Sequence, residues 1–289
     1  MNSLMNALVS GLISGSLYAI MALGMSIIYG VSHVFNFGHG VIAVMGGYFA
    51  WSALTKLGLG IIPSTLVSMV IMAGLGWILY RLAMSRLLKN DNWEFAVVIF
   101  TLGLGVLLEN ILLQFYGPRV KAIDPFFEGA LKLGTVQVNW HDLSLMLAVL
   151  LSVVLLNLFF TYTRMGQAML AVAQSLEGAR VVGINVDKIF GYTFALAFLV
   201  TGFSGVLLST KYYMTPHIGW DFMSRGFVIV AFGGLGSLSG AVLAALILGI
   251  VEGLATLYLG SVWVWPVWFV VFMVILLIRP QGILGGRTI

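Results

Sequence analysis

The sequence contains no cysteine, and only 8% of its 289 residues are charged. The absence of cysteine excludes a disulfide scaffold, a thiolate metal site and cysteine redox chemistry. The shortage of charge excludes an ordinary soluble domain, in which about 25% of the residues are charged. A chain with so few charged residues cannot cover a water-facing surface. The chain instead has 61% hydrophobic residues and a mean hydropathy of +1.07. This composition indicates an integral membrane protein.

Motifs for chemistry are also missing. No Gly-Lys dipeptide occurs, so a phosphate-binding loop of the form G-x-x-x-x-G-K-[ST] is excluded, and any ATP that powers this protein must be bound by another polypeptide. No G-x-S-x-G nucleophile elbow is present. The four histidines, His33, His39, His141 and His217, lack the i, i+4 spacing of two zinc ligands on one helix. We therefore expect no enzyme activity, no cofactor and no metal in this chain.

The apolar residues are grouped into runs of membrane-spanning length, which is about 20 residues for a helix. The predicted spans are Leu4–Tyr29, Gly40–Leu54, Ile61–Leu82, Phe95–Tyr116, Leu143–Phe160, Ile189–Ser209 and Val262–Ile278. The run 226–259 is too long for one span, and it contains four glycines that predict a broken or re-entrant pair of helices, namely Gly233, Gly234, Gly236 and Gly240. We expect one all-α transmembrane domain over residues 1–289, a polytopic bundle of about 8–10 membrane segments. The first span is expected to be retained, because the first basic residue is Lys56 and no signal-peptide n-region precedes it.

The polar breaks between the spans predict the orientation. If the spans alternate in direction, three of these breaks lie on the same side of the membrane. They carry eight basic residues, whereas the rest of the chain carries six. The eight are Arg81, Arg86, Lys89, Arg164, Arg180, Lys188, Arg279 and Arg287. The positive-inside rule places this side in the cytoplasm. The longest break on the opposite side, residues 117–142, is either an irregular connector or a docking surface. Glycine pairs at G-x-x-x-G spacing, including Gly11 with Gly15 and Gly249 with Gly253, predict close helix packing.

Four polar residues inside apolar segments are candidates for a transport pathway. A charge in the bilayer is costly, so Glu109 and Glu252 are expected either to face a wet interior or to be structural carboxylates bonded to a neighbouring helix. Either could alternatively be the proton site of a secondary transporter. Asn36 and His39 stand at the entrance to a helix, where they either meet an anionic solute group or cap the helix. Capping is the preferred interpretation.

The segment Arg164–Lys188 is less apolar than its flanks and has a helical period. An apolar face is predicted for Met169, Val172, Ala173, Leu176, Ala179 and Val182, with Gln174, Glu177 and Arg180 on another face and Gly183 as the stop. A short amphipathic helix of this kind fits a groove on a partner protein. A helix lying on lipid fits less well, because the polar face has little lysine.

Six short segments occur in a fixed order along nearly the whole chain. They are Gly-Ser-Leu-Tyr-Ala-Ile-Met-Ala-Leu-Gly at 15–24, Asn-Phe-Gly-His-Gly at 36–40, Arg-Met-Gly-Gln-Ala at 164–168, Val-Gly-Ile-Asn at 182–185, Phe-Gly-Gly-Leu-Gly-Ser-Leu-Ser-Gly-Ala at 232–241 and Arg-Pro-Gln-Gly-Ile-Leu-Gly at 279–285. In these segments the chain resembles the permease subunits of branched-chain amino acid ABC transporters, often called LIV-type permeases. Ser239 departs from the family pattern, which commonly has proline after Gly-Ser-x.

The resemblance implies an importer in the inner membrane, built from two permease chains that form a heterodimer, two cytoplasmic ATPases and a soluble extracytoplasmic binding protein that delivers leucine, isoleucine or valine. It also implies that the ATPases contact the 164–188 segment, where Glu177, Ala179 and Gly183 match the Glu-x-Ala-x-x-x-Gly coupling helix. Arg164, Gly166 and Arg180 belong to the same predicted coupling segment. Relatives of this group move urea, short amides or other amino acids, so these substrates stay open as alternatives.

Overall fold

The structure is a computed structural model that describes residues 2–133 and 136–285. Arg287, one of the eight basic residues counted above, lies outside the described residues. The helices are α1 (Asn2–Ser32), α2 (His39–Lys56), α3 (Ile61–Leu79), α4 (Ser85–Leu87), α5 (Trp93–Tyr116), α6 (Trp140–Tyr162), α7 (Arg164–Gln174), α8 (Leu176–Val181), α9 (Val186–Lys211), α10 (Ile218–Gly233), α11 (Leu238–Tyr258) and α12 (Val264–Ile278). A π-helical turn (Tyr80–Met84) joins α3 to α4, and a 3₁₀ turn (Ser261–Trp263) precedes α12. The strands β1 (Ala130–Leu133) and β2 (Val136–Asn139) form an antiparallel hairpin.

Seven helical stretches of the described chain are long and apolar enough to cross a membrane: 3–32, 61–87, 93–116, 140–162, 186–211, 238–258 and 261–278. Together with α2 and α10, they confirm the predicted all-α polytopic bundle. The predicted spans coincide with helices. The predicted broken pair is also confirmed as α10 and α11, but α10 begins at Ile218, eight residues before the predicted start at Gly226.

The bundle has a buried centre and an apolar outer ring. In α1 and α9, 89% and 72% of the most apolar 18 residues are buried, whereas the figure for α12 is 11%. α3, α5 and α6 are also largely exposed and present leucine, isoleucine, valine and phenylalanine outwards. A water-soluble protein would not expose such faces, but lipid tails solvate them.

Glycines allow α1 and α11 to cross in direct contact. A Cβ added to Gly11 would lie 2.5 Å from the carbonyl oxygen of Gly249, and one added to Gly15 would lie 2.7 Å from that of Ala245. Gly253 packs against the backbone of Ala7 in the same way. Two of the predicted G-x-x-x-G pairs thus face each other, and the close approach maximises van der Waals contact between helices that gain nothing from hydrophobic burial in lipid.

The two ends of the bundle differ. At the end that we call the basic end, Arg81 Nη1 lies 3.5 Å from Asp187 Oδ2, so the segment after α3 and the start of α9 are neighbours. At the opposite end, which we call the hairpin end, Lys211 at the end of α9 pairs with Asp142 at the start of α6. The predicted 117–142 break lies here, and part of it is an ordered β-hairpin rather than an irregular connector.

Candidate functional site

α10 and α2 both begin inside the bundle rather than at its ends. An added Cβ on Gly219 would lie 2.7 Å from the Cα of Val41, and Gly40 packs against the carbonyl oxygen of Gly219. The first turns of the two helices therefore cross in backbone contact. α10 has 16 residues and is about 24 Å long, which is less than the roughly 30 Å of a hydrocarbon core. Neighbouring elements supply polar partners to His217, Trp220 and Arg225.

Glu109 holds the first turn of α10. The Trp220 indole Nε1 donates to Glu109 Oε2 at 2.7 Å, and the His217 ring contacts the other carboxylate oxygen. Glu109 is buried, whereas 70% of the His217 side chain is exposed. A carboxylate beside the amino-terminal end of a helix is also stabilised by the helix dipole.

Glu252 holds the middle of α10. Arg225 Nη1 donates to Glu252 Oε2 at 2.7 Å, and the Tyr18 hydroxyl donates to Glu252 Oε1 at 3.2 Å. The rings of Tyr18, Trp265 and Trp268 surround the Arg225 guanidinium, with centroids at 5.0, 5.0 and 5.2 Å. Each partner of the pair exposes only 18% of its side chain. The arrangement is a desolvated ion pair in an aromatic cage, and cation–π attraction is strongest in such a setting.

A cavity of about 750 Å³ reaches Glu252 from the hairpin end. Its walls include hydroxyl and amide groups of α1, together with Lys211 and Tyr212; the α1 residues are Ser3, Asn6, Ser10 and Ser14. The Tyr212 hydroxyl bonds Ser14 Oγ at 3.3 Å. The two interpretations of Glu252 therefore do not exclude each other, because the carboxylate is bonded to neighbouring helices and also borders a polar cavity.

Asn36 and His39 do not cap α2, so the preferred interpretation from the sequence is wrong. The N-cap residue is Gly38, and no side chain among the described residues caps the helix. Asn36 Oδ1 instead accepts the Gly38 N–H at 3.0 Å within the preceding turn. His39 is fully buried, and its Nε2 lies 3.2 Å from the Met21 carbonyl oxygen and 3.1 Å from Thr201 Oγ1. His39 therefore ties α2 to α1 and α9.

The four glycines of the predicted helix break have two different roles. Gly234 and Gly236 lie in the break between α10 and α11 with φ of 106° and 83°, a conformation that side chains rarely adopt. Gly233 and Gly240 lie inside the flanking helices, and each packs against the backbone of the other. Ser237 caps α11 by accepting the Gly240 N–H at 3.1 Å.

The 164–188 segment forms two short helices rather than one. Ser175 ends α7 and caps α8, accepting the Gly178 N–H at 3.0 Å. Gly183 stops α8 with φ of 83°, as predicted, and its N–H bonds the Arg180 carbonyl oxygen at 3.0 Å. Gly166 lets α7 fold back onto α6, because an added Cβ would lie 2.6 Å from the Cα of Phe160.

The break at Ser175 changes which residues are buried. Met169, Val172, Ala173 and Ala179 are buried, as the helical period predicts. Leu176 and Val182, assigned to the same face, are 38% and 73% exposed, so that part of the prediction is wrong. The new helix axis turns both residues outwards, and Val181 beside them is 86% exposed. Arg164, Glu177 and Arg180 are exposed as well.

Comparison with known proteins identifies the family. The family model described as "Branched-chain amino acid transport system / permease component" matches residues 7–279. The chain belongs to this family. The permease is 31% identical over 290 residues to the "High-affinity branched-chain amino acid transport system permease protein LivH" of Salmonella typhimurium, with 96% of this chain and 94% of the relative covered. It is also 31% identical to the protein BraD of Pseudomonas aeruginosa, which has the same description, with the same coverage.

Two further proteins are more distantly similar to the permease. The "Probable branched-chain amino acid transport permease protein LivH" of Methanocaldococcus jannaschii is 28% identical, with 95% of this chain and 90% of the relative covered. A chain of the solved structure "PsaBC from Streptococcus pneumoniae in complex with Fab" is 14% identical with a TM-score of 0.47, and covers 97% of this chain and 91% of that chain. The family to which the permease belongs is one of transport proteins, not of enzymes.

The first half of α10 was not predicted from the sequence, nor was the binding of both membrane carboxylates to this helix. His217, Asp221 and Arg225 follow one another at i, i+4 and i+8, a spacing that places them along one side of a helix. They precede the apolar run that begins at Gly226, so a hydropathy criterion excludes them from a span. The signal that could have found them is the helical spacing of polar residues directly before an apolar run.

Proposed function

We propose that this permease is a membrane-spanning subunit of an ATP-driven importer for branched-chain amino acids, and that α8 is the surface on which an ATPase acts. The family membership supports the transport function. LivH and BraD are described as permease proteins of high-affinity branched-chain amino acid transport systems, and this chain aligns with each over 96% of its length.

The observation that carries the ATPase contact is the exposure of apolar side chains on α8. Leu176, Val181 and Val182 lie outside the helical stretches that could span the membrane, at the basic end of the bundle. Apolar residues grouped on a water-side surface are typical of a protein interface. The charged residues Glu177 and Arg180 border the patch and would give it specificity.

The six predicted coupling residues then have two kinds of role. Arg164, Glu177 and Arg180 are exposed and would contact the ATPase. Gly166, Ala179 and Gly183 would keep the coupling segment in shape, since Gly166 allows the fold against α6, Ala179 is buried and Gly183 forms the left-handed stop. ATP itself would be bound by the partner subunits, and this chain would carry no cofactor.

The full importer would contain this permease, a second and different permease chain, two cytoplasmic ATPases and a soluble binding protein that docks at the hairpin end. The basic end would face the cytoplasm of the cell, and the complex would lie in the inner membrane. Leucine, isoleucine and valine are the proposed substrates, with urea, amides or other amino acids as the alternative. Asn36, His39, Glu109 and Glu252 remain proposed pathway residues, with Glu109 and Glu252 acting through α10.

Proton-coupled secondary transport is the alternative from another class. It would need a carboxylate that takes up and releases a proton during transport. Glu109 and Glu252 are each bonded to two side chains of neighbouring elements, and these contacts support a structural role of both carboxylates.

Val181→Asp tests the contact with the ATPase. A carboxylate in the apolar patch should lower the amount of ATPase that co-purifies with the tagged permease and should abolish ATP-dependent leucine uptake in proteoliposomes. Val120→Asp is the matched control, because Val120 is 58% exposed at the hairpin end and the same change there should leave co-purification intact. A Val181→Asp complex that keeps its ATPases at the normal ratio would contradict the proposal.

The substrate and the energy source are tested with the unmodified importer. Uptake of radiolabelled leucine should require ATP and the binding protein, should continue in the presence of a proton uncoupler, and should exceed uptake of urea. Loss of uptake on addition of the uncoupler with ATP maintained would instead favour the proton-coupled transporter.

A further inference from the structure

α10 differs from α3, α5, α6 and α12 in the chemistry of its open face. The exposed residues of α3, α5, α6 and α12 are mostly large and apolar. In α10 the two exposed residues are Asp221 and Ser224, and the mostly exposed His217 directly precedes the helix. The three positions i, i+4 and i+7 lie on one side of a helix. This polar face, which we call the α10 face, is formed by His217, Asp221 and Ser224.

The α10 face lies at membrane depth. Glu109, which bonds the first turn of α10, is seven residues from the end of α5, or about 10 Å along its axis. Asp221 and Ser224 lie about 6 and 10 Å further along α10 from His217, towards the basic end. The described residues provide no hydrogen bond or ion pair to the Asp221 carboxylate. A carboxylate at this depth without a partner cannot face lipid without a large cost, so it requires water or a polar ligand.

Three phenylalanines lie next to this face on the side of the basic end. Phe227 follows Ser224 by three residues, and its ring centroid is 5.3 Å from that of Phe35 and 6.5 Å from that of Phe37. Phe35 and Phe37 belong to the non-helical segment between α1 and α2 and are partly exposed, whereas Val34 before them and Asn36 between them are buried. Non-helical backbone at membrane depth is tolerated where it is buried in protein or lines a cavity. We call Phe35, Phe37 and Phe227 the aromatic triad.

We propose that the α10 face and the aromatic triad form the solute-binding wall of the pathway, with a zwitterionic amino acid of apolar side chain as its ligand. Asp221 would bind the ammonium group, and the triad would contact the side chain. Phe227 lies about 9 Å further along the axis than Asp221 and about 120° around the helix, with Ser224 between them, so the solute would extend across Ser224 from Asp221 to the triad. The proposal rests on the proposed function, and it adds the site and the group that recognises each end of the solute.

Cysteine labelling tests whether the wall is wet. The chain has no native cysteine, so Ser224→Cys and Asp221→Cys each give one thiol on this subunit. Leu243→Cys and Ile247→Cys are matched controls, because these residues are 44% and 40% exposed on α11 but apolar. In the full importer in proteoliposomes, a water-soluble maleimide should modify positions 221 and 224 at least tenfold faster than 243 and 247, as read from the mass of this chain.

The same labelling tests the ligand. Addition of leucine-loaded binding protein with ATP should slow modification of Ser224→Cys at least threefold, and ATP with unloaded binding protein should not. Ser224→Cys is nearly isosteric, so the test does not depend on the folding of the Asp221 variant. Labelling of position 224 as slow as that of 243, or labelling unaffected by leucine, would overturn the proposal.

Transport by variants provides the second readout. Asp221→Asn should lower the leucine imported per ATP hydrolysed at least tenfold while ATP hydrolysis continues, and Asp221→Glu should restore part of it. Unchanged coupling in Asp221→Asn would overturn the role of Asp221. If the unmodified complex imports no leucine with ATP, the proposed function is wrong. If the unmodified complex imports leucine but the labelling and Asp221 results are negative, the proposed function stands and the proposed solute-binding wall is wrong.

Discussion

The pair of Arg225 and Glu252 makes a strong prediction about stability. Glu252→Gln removes the charge that balances the guanidinium but keeps the size of the side chain and one acceptor oxygen. Because each side chain is only 18% exposed, Arg225 would stay in place as an uncompensated charge among Tyr18, Trp265 and Trp268. Removal of one partner from a buried pair costs about 3–5 kcal/mol in soluble proteins.

Two effects set the expected size in this permease. An unpaired arginine at the centre of a membrane helix costs about 2.5–3.5 kcal/mol on insertion scales. The aromatic cage persists in the variant and offsets some of this cost, since a cation–π contact contributes about 0.5–2 kcal/mol. We therefore expect a loss of about 2–3 kcal/mol, which corresponds to a fall in the thermal midpoint of about 5–10 °C for a chain of this size.

The assay is thermal unfolding of the purified permease in lipid nanodiscs, with Glu177→Gln as the control for the same chemical change on an exposed carboxylate. The double variant Arg225→Met with Glu252→Gln should be less destabilised than the sum of the two single variants, because it contains no unpaired charge. The interpretation of a coupled pair would be refuted if the losses of stability in the two single variants added up to the loss in the double variant. It would also be refuted if Glu252→Gln had the same thermal midpoint as Glu177→Gln.

Two other changes test packing and polar contacts. Gly11→Ala should destabilise the permease by about 1–3 kcal/mol in the same assay, because its Cβ would lie 2.5 Å from the Gly249 carbonyl oxygen; Gly103→Ala, with no atom within 4 Å of the new Cβ, should not. Thr201→Val should cost about 1–3 kcal/mol, because it removes the hydroxyl partner of the buried His39 ring. Thr193→Val on the same helix should cost clearly less, since within the described part of the chain that hydroxyl bonds only the Ile189 carbonyl oxygen of its own helix. Equal losses for the two threonines would argue against a specific role of His39.

Hydropathy alone predicts most of the bundle, because a helix in lipid must be long and apolar and must satisfy its own backbone. The same rule explains what was missed. α10 has 16 residues, and its first half contains Asp221 and Arg225, so no window over it is uniformly apolar. Its place in the bundle depends on Glu109 and Glu252, which are 108 and 27 residues from their partners His217 and Arg225 in the sequence. Contacts at such separations are not visible in a local pattern.

The coupling segment shows a related difficulty. Its helical period runs through Ser175 without interruption, and a single amphipathic helix is the simplest prediction. Serine, however, is also a preferred N-cap residue, and its hydroxyl here accepts the Gly178 N–H at 3.0 Å. The cap starts a second helix in a new direction, which turns Leu176 and Val182 from a buried face to an exposed one. The surface proposed to meet the ATPase thus depends on one hydroxyl that a periodicity argument treats as neutral.

The two helices that begin inside the bundle explain why polar residues interrupt apolar runs at Asn36 and Glu109. The first backbone N–H groups of a helix have no partners within that helix, and at membrane depth they need acceptors from the protein or from a water-filled cavity. Asn36 accepts from the Gly38 N–H at the start of α2, and Glu109 lies at the start of α10, where the helix dipole is positive. In both places a polar acceptor lies next to a helix that starts within the bilayer. In this permease such a residue predicts a helix start beside it, and the open space next to that start is where a solute could replace water.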